Sequence, residues 1–316
     1  MKDFILKHRD KVWLFKLLKC ILRGLPQGMN TAKWLLKITI PVSFAVLLLD
    51  YYGLIDFIAI YTAPLFKYFG LPGVAAIVLF TSIFTNVYSV ILILATLALP
   101  VREGTILAAM CLVSHGFPIE TAVLSKTGSS PVRMILVRLT GSFLVAFIMN
   151  SLMPGEASSV EFSHEIVKPE LTDILIKWVY SMFHTIVKIV ILINILNILQ
   201  KILEEFGITK WLTKPLKPFI KLCGLPQSTA FGWIIANTLG LAYGSAVMIS
   251  LVQDKKLSKK DADMLNHHNA ISHSQLEDPL LFTTFGFSML WLIFPRLFIA
   301  ILCVWLRRLE LYIRRI

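Results

Sequence analysis

The sequence predicts an all-α polytopic membrane protein made of two inverted-topology repeats, each with three transmembrane helices, an interfacial helix and a re-entrant helical hairpin. Three observations carry this expectation. Of the 316 residues, 56% are hydrophobic and 16% charged, with a mean hydropathy of +0.74, a balance that a water-soluble domain could not hide inside one core. Apolar stretches at 34–51, 72–100, 131–153, 171–199, 226–252 and 287–305 approach or exceed the roughly 20 residues that cross a bilayer as a helix. They are continuous rather than alternating, which excludes a closed β-barrel.

The third observation is internal repetition. Pro64, Lys67, Gly70, Leu71 and Pro72 return as Pro218, Lys221, Gly224, Leu225 and Pro226, 154 positions on, and Gly53 returns as Gly207. Farther along, Ser114, His115, Glu120, Gly128 and Arg138 correspond to Ser272, His273, Asp278, Gly286 and Arg296 at an offset of 158. Ionisable residues repeat together with the hydrophobic scaffold.

In chain order, residues 1–33 spread eight lysines and arginines among apolar side chains and read as a basic amphipathic membrane-surface segment. Residues 34–153 form the first repeat. With the basic N-terminus in the cytoplasm, 34–51 crosses outward, 53–70 lies outside with Lys67 as its one basic residue, and 72–100 returns. Between Arg102 and Arg133, Gly116, Pro118, Gly128 and Pro131 break the chain into pieces too short to span, the pattern of a re-entrant hairpin. Residues 131–153 cross outward to an acidic extracytoplasmic connector at 154–170. The second repeat, 171–316, starts from that face, so its lysine-rich 208–222 lies inside and the C-terminal arginines return to the cytoplasm. Lys255, Lys256, Lys259 and Lys260 fall outside in this topology and fit it poorly; fully crossing hairpins would change the hand of the repeat. The localisation expected is the cytoplasmic (inner) membrane of a prokaryote, multi-pass, with both termini cytoplasmic.

The net charge of +12 reads as a positive-inside imprint and attraction to anionic lipid rather than binding of a nucleic acid polymer. Cys20, Cys111, Cys223 and Cys303 lie far apart with no CxxC spacing and read as packing residues.

The residues that could carry chemistry fall at the repeated positions. Arg138 and Arg296 sit at matching depths inside apolar spans, where a guanidinium needs a cavity or an ion-pair partner. Pairing with Glu120 and Asp278 would make them structural; facing a substrate pathway would make them binding groups. Ser114, His115 and Glu120 lie where the first hairpin should turn, and Ser272, His273, Glu277 and Asp278 where the second should. Half-helix ends there would offer free backbone groups to a ligand, and histidines suit coupling to protons. Asn86 and Asn237 interrupt the long second spans as candidate substrate-orienting groups. His267, His268, His273 and Glu277 lack a helical metal-ligand pair, so no metal site is expected. No phosphate loop, dinucleotide fingerprint or Gly-x-Ser-x-Gly elbow is present, and an enzyme is not expected.

Gly70-Leu71-Pro72, Ser114-His115-Gly116-Phe117-Pro118-Ile119-Glu120-Thr121, Gly224-Leu225-Pro226 with Ser228-Thr229-Ala230, and Asn269-Ala270-Ile271-Ser272-His273-Ser274 with Glu277 together resemble the Gate, or nucleoside recognition, family of membrane proteins. The resemblance covers roughly 34–310, one unit per half, and links the chain to concentrative nucleoside transporters and the gate regions of ferrous iron transporters. It implies hairpins meeting at a central site. The expected function is a secondary transporter, or a flippase, moving a small polar or anionic substrate between the hairpins, with no cofactor beyond coupling to protons or sodium. The alternatives are a non-transporting Gate scaffold acting through a protein partner, or a membrane enzyme on lipid head groups. The partners expected are the lipid bilayer and that unidentified substrate, with a homo-oligomer left open.

Overall fold

The computed structural model describes residues 2–97, 99–155, 170–208, 211, 215–238, 240, 248–249, 251–252, 255 and 257–314. The connector at 156–169, with Glu156, Glu161 and Glu165, lies outside the described residues, as do Lys210, Lys214, Lys256 and most of the stretch after Thr238. Among those described, every regular element is helical.

α1 (Lys2–Tyr51) runs without a break through residue 33, where composition changes, and continues past two internal prolines, Pro26 and Pro41. It lies antiparallel against α8 (Leu171–Glu205), from Trp13 on Phe206 at one end to Phe44 on Trp178 at the other. Small residues let the backbones approach: an ideal Cβ on Gly24 would stand 2.9 Å from Ile198, and one on Gly28 2.6 Å from Asn194 Oδ1.

Gly53, left-handed at φ 75°, starts α2 (Leu54–Lys67). The repeated Gly-Leu-Pro is the device that ends it. Gly70, at φ 65°, donates to Lys67 O at 3.0 Å and Leu71 donates to Phe66 O at 3.1 Å, the paired bonds of a Schellman cap, and Pro72 prevents the helix from continuing. The second copy repeats the motif on α9 (Lys217–Leu222): Gly224 donates to Lys221 O and Leu225 to Ile220 O, both at 3.0 Å.

The stretch 72–100, expected as one continuous span, is two half-helices, α3 (Ala75–Phe84) and α4 (Val87–Leu97). Thr85 is extended between them, and Asn86 Oδ1 accepts from the backbone N–H groups of Tyr88 and Ser89, both at 3.1 Å, capping α4. Its counterpart, a 3-10 turn (Gln227–Thr229) and α10 (Ala230–Thr238), likewise stops within two residues of Gly240, at φ 84°.

The expected hairpins are pairs of short helices. α5 (Val101–Ser114) and α6 (Phe117–Lys126) meet at His115–Gly116, and α11 (Lys259–Asn269) and α12 (Glu277–Thr283) meet across 270–276. At 14 residues, about 21 Å, α5 is too short for a hydrocarbon core of about 30 Å. All its residues from Glu103 to Ser114 are buried.

α7 (Pro131–Leu152) and α13 (Met289–Ile313) are long and apolar enough to cross a membrane. They run antiparallel, since Arg133 at the start of α7 pairs with Glu310 near the end of α13, while Ile148 and Leu152 share a cavity with Leu290 and Phe294. One buried cluster joins the two halves, with Leu107, Met110, Val113, Val145 and Met149 packed on Ile271, Phe282, Leu292 and Ile299.

Candidate functional site

Two turns bring the repeated residues together. Gly116, at φ 59°, donates its N–H to Ser82 O at 2.9 Å, and Ser274, at φ 49°, donates to Ala236 O at 3.0 Å. Each hairpin turn is therefore pinned to the second, broken helix of its own repeat. Glycine takes the left-handed conformation freely; a serine holding it is costly and marks a constrained position.

The arginines fix the other side of each turn. Arg138 donates from Nε to Val113 O at 2.9 Å and from Nη2 to His115 O. Arg296 donates from Nε to Ile271 O at 3.3 Å and from Nη2 to His273 O at 2.8 Å. Both guanidiniums are 0% exposed. Four hydrogen bonds thus obey the same offset of 158 that relates the sequences.

The carboxylates break this symmetry. Arg138 Nη2 lies 2.7 Å from Glu120 Oε2, so the ion pair expected in the first repeat is made. Among the described residues Arg296 has no ion pair with Asp278, which has one methylene fewer and lies in the electrostatic field of Arg296, His115 and His273. Glu120 instead serves both histidines: its Oε1 is 3.0 Å from His115 Nε2 and 3.4 Å from His273 Nε2. The two imidazole centroids stand 5.3 Å apart. Each Nδ1 faces a carbonyl one helical turn back, Cys111 O at 3.2 Å and Asn269 O at 2.7 Å. The Phe117 ring lies 4.6 Å from Arg138 Cζ, within cation–π range.

His115, Glu120, Arg138 and His273 thus meet in direct contact, and Asp278 and Arg296 border them. Ser114 is buried behind the turn, where it meets Ser82 Oγ at 3.2 Å and donates to Met110 O at 3.0 Å. Ser272 bonds Gln275. Glu277 accepts from Tyr88 Oη at 3.2 Å, linking the second hairpin to α4 of the first repeat. Asn86 is spent on its cap, and Asn237 Nδ2 donates to Trp233 O at 2.9 Å while its Oδ1 has no hydrogen-bond partner. Also without hydrogen-bond partners are Arg138 Nη1, Arg296 Nη1, His273 Nε2, Gln275 Oε1 and both amide atoms of Asn269. On α8, Lys177 and His184 are exposed, and the side chains of Ser181 and Lys188, at helical spacing with them, lie outside the described residues.

A second polar cluster escaped the sequence reading. Arg133 pairs with Glu310 and its Nε meets His267 Nε2 at 2.8 Å; Arg307 lies 2.9 Å from both Asp263 and Glu310. Arg133, His267, Arg307 and Glu310 line one end of a cavity of about 250 Å³ whose other wall is Val137, Leu144, Ile299 and Leu302. Arg133 lies in the first repeat and its partners in the second, at non-equivalent positions, so the repeat gave no signal for it.

Residues 32–130 match the model of the Gate family, described as nucleoside recognition. The chain is also 29% identical over 291 residues to a protein of Bacillus subtilis (strain 168) named uncharacterized membrane protein YvoD, covering 90% of this chain and 92% of that protein. No solved structure matches the chain. The family match over residues 32–130 thus agrees with the resemblance read from the first Gly-Leu-Pro and Ser-His motifs, in a chain whose described residues form only helices, two of them long and apolar enough to cross a membrane.

Proposed function

We propose that the protein is a secondary transporter, or a flippase of related design, that moves a small polar or anionic substrate through the junction of its two hairpin turns. The observation that carries this reading is the pair of buried guanidiniums. Each spends Nε and Nη2 on turn carbonyls and keeps Nη1 without a hydrogen-bond partner. A guanidinium carries five N–H donors, and leaving buried polar atoms unpaired costs about 1–3 kcal/mol each. Both guanidiniums bear that cost beside the hairpin turns, as do the unspent atoms of Asn237, Asn269 and Gln275. Unspent capacity of this kind is what a site for a polar solute holds in reserve.

Antiparallel α7 and α13 support the inverted hand of the repeat, and inverted repeats with broken helices place such sites near the midplane. The state described is closed: His115 and His273 are buried, and none of the cavities at α6, along α7 and α13 or at their far ends is lined by them. On this reading the membrane is the inner membrane of a prokaryote, with both termini in the cytoplasm.

A ligand-stabilisation screen on purified protein, covering nucleosides, organic phosphates, metal ions and lipid head groups, finds the substrate class, because a binder of the folded state raises apparent stability by mass action. Uptake of the hit into proteoliposomes then follows, with Arg138→Ala and Arg296→Ala. Retained stability with unchanged affinity in both variants overturns the role of the arginines. The closed Arg138–Glu120 pair favours a second reading, a Gate scaffold that works through a protein partner; it predicts no stabilising solute and no uptake.

A further inference from the structure

The geometry points to a divalent transition-metal site at His115, Glu120 and His273, which neither repeat completes alone. It rests on the reading that the hairpin junction is where ligand binds, and it names the cation seated there.

The chemistry starts at the far side of each ring. Cys111 O and Asn269 O can only accept, so each Nδ1 facing them carries the proton. Each neutral ring then presents a lone pair at Nε2, and both lone pairs face Glu120 Oε1, which has only lone pairs to offer. Three acceptors converging in a buried place call for a positive centre between them, a proton on one ring or a metal ion that all three ligate. Two donors held 2.0–2.2 Å from a tetrahedral ion stand about 3.3–3.5 Å apart. The observed separations from Glu120 Oε1 are 3.0 and 3.4 Å, and all three ligand atoms lie within 4.8 Å of one another.

The surroundings supply what a metal site needs behind its ligands. Backbone carbonyls orient both imidazoles, and Arg138 holds the second oxygen of Glu120 at 2.7 Å. The carboxylates of Glu120, Glu277 and Asp278 offset the charges of Arg138 and Arg296. Two imidazole nitrogens select a borderline ion such as Zn²⁺ over sodium, magnesium or calcium, which take oxygen ligands. Three protein ligands leave a fourth position open. An anionic group of the substrate coordinated there would be shared with the guanidinium of Arg296.

The test uses the purified full chain in detergent, stripped with chelator. Zn²⁺ is titrated against a chromophoric competitor, and Co²⁺ is added in parallel for its visible absorption. One ion per chain is expected, with Co²⁺ bands of a four-coordinate nitrogen–oxygen site. Affinity should fall at least about tenfold in His115→Asn, Glu120→Gln and His273→Asn, and stay unchanged in His184→Asn, whose ring is exposed on α8. No saturable binding to the wild type, or full stoichiometry retained in the double histidine variant, overturns the site. Should the variants fail to fold, the wild-type Co²⁺ spectrum decides, and absence of the bands overturns it. Zn²⁺ binding without solute uptake in proteoliposomes sinks the transport reading and leaves the metal site standing; uptake without Zn²⁺ binding does the reverse.

Discussion

Arg138→Met and Arg296→Met remove the same side chain from equivalent positions, yet they should differ in cost. Each substitution strips two turn carbonyls of charged donors, Val113 and His115 in the first repeat, Ile271 and His273 in the second. Each also relieves the burden of holding a guanidinium out of water, so these shared terms largely cancel between the two. What remains is the carboxylate. Without Arg138, Glu120 is left in the core with only histidines beside it, and removing one partner of a buried pair costs about 3–5 kcal/mol. Arg296 has no such pair among the described residues, and its loss should cost about 1–3 kcal/mol for the carbonyls, reduced by the relieved charge. A gap of about 2 kcal/mol follows, or about 4–8 °C in Tm at roughly 2–4 °C per kcal/mol. Thermal denaturation of both variants in one detergent measures it. Adding Glu120→Gln to Arg138→Met should recover part of the loss, since the stranded charge is gone. Equal Tm values for the two single variants, or no recovery in the double variant, would refute the asymmetry.

The turns and the hairpin junction give three further expectations. Gly70→Ala should lower Tm more than Gly224→Ala: both positions are left-handed, but the new Cβ meets Asn150 Oδ1 at 2.1 Å in the first case and the Trp305 ring at 3.0 Å in the second. Asn150 is tied to Arg102 and to Tyr68 O, so it cannot yield without losing those bonds. Ser274→Gly should keep or raise Tm by relieving a left-handed serine, whereas Gly116→Ala imposes that strain and should cost about 1–2 kcal/mol; both are read by the same thermal scan. Asp278→Glu restores the methylene that Glu120 has and should let a carboxylate reach Arg296. It should raise Tm while lowering the response to whichever solute stabilises the wild type, as scored in the ligand screen.

The framework of the fold was written in residues whose physical role is local. Gly-Leu-Pro stood out in the sequence as a repeated motif, and its local role explains the repetition: a left-handed glycine with a proline two residues on stops a helix, and both copies close the same Schellman cap. The short pieces around Gly116 and Pro118 predicted the first hairpin for the same reason. The break at Thr85–Asn86 was harder to read, since Thr81, Ser82 and Ser89 can bond back within a continuous helix and an asparagine among them looks like a substrate group until its cap bonds are seen. The site was legible as a set of positions but not as a pattern of contacts. Equivalence of His115 with His273 and Arg138 with Arg296 suggested two like half-sites. That one carboxylate, Glu120, would serve both imidazoles depends on a difference of one methylene, which carries no periodic or compositional signal.

That difference belongs to a wider division between the repeats. Backbone bonds to each turn are conserved in kind from one copy to the other, so the frame is symmetric. The side chains inside it are not. Cys111, Gly116 and Phe117 of the first repeat stand opposite Asn269, Ser274 and Gln275 of the second, and every exchange adds polar capacity to the second copy. At the second turn Asn269, His273, Gln275 and Arg296 each keep an atom without a hydrogen-bond partner; around the first turn such atoms belong to Glu120, Thr121 and Arg138, and there Arg138 is paired with Glu120 and covered by the Phe117 ring. The backbone frame is common to both copies, and what distinguishes them is these polar side chains. Exchanging Asn269, Ser274 and Gln275 for their first-repeat equivalents should therefore leave Tm of the unliganded protein nearly unchanged while lowering its stabilisation by any solute that the ligand screen finds, and the reciprocal exchange should leave that stabilisation intact.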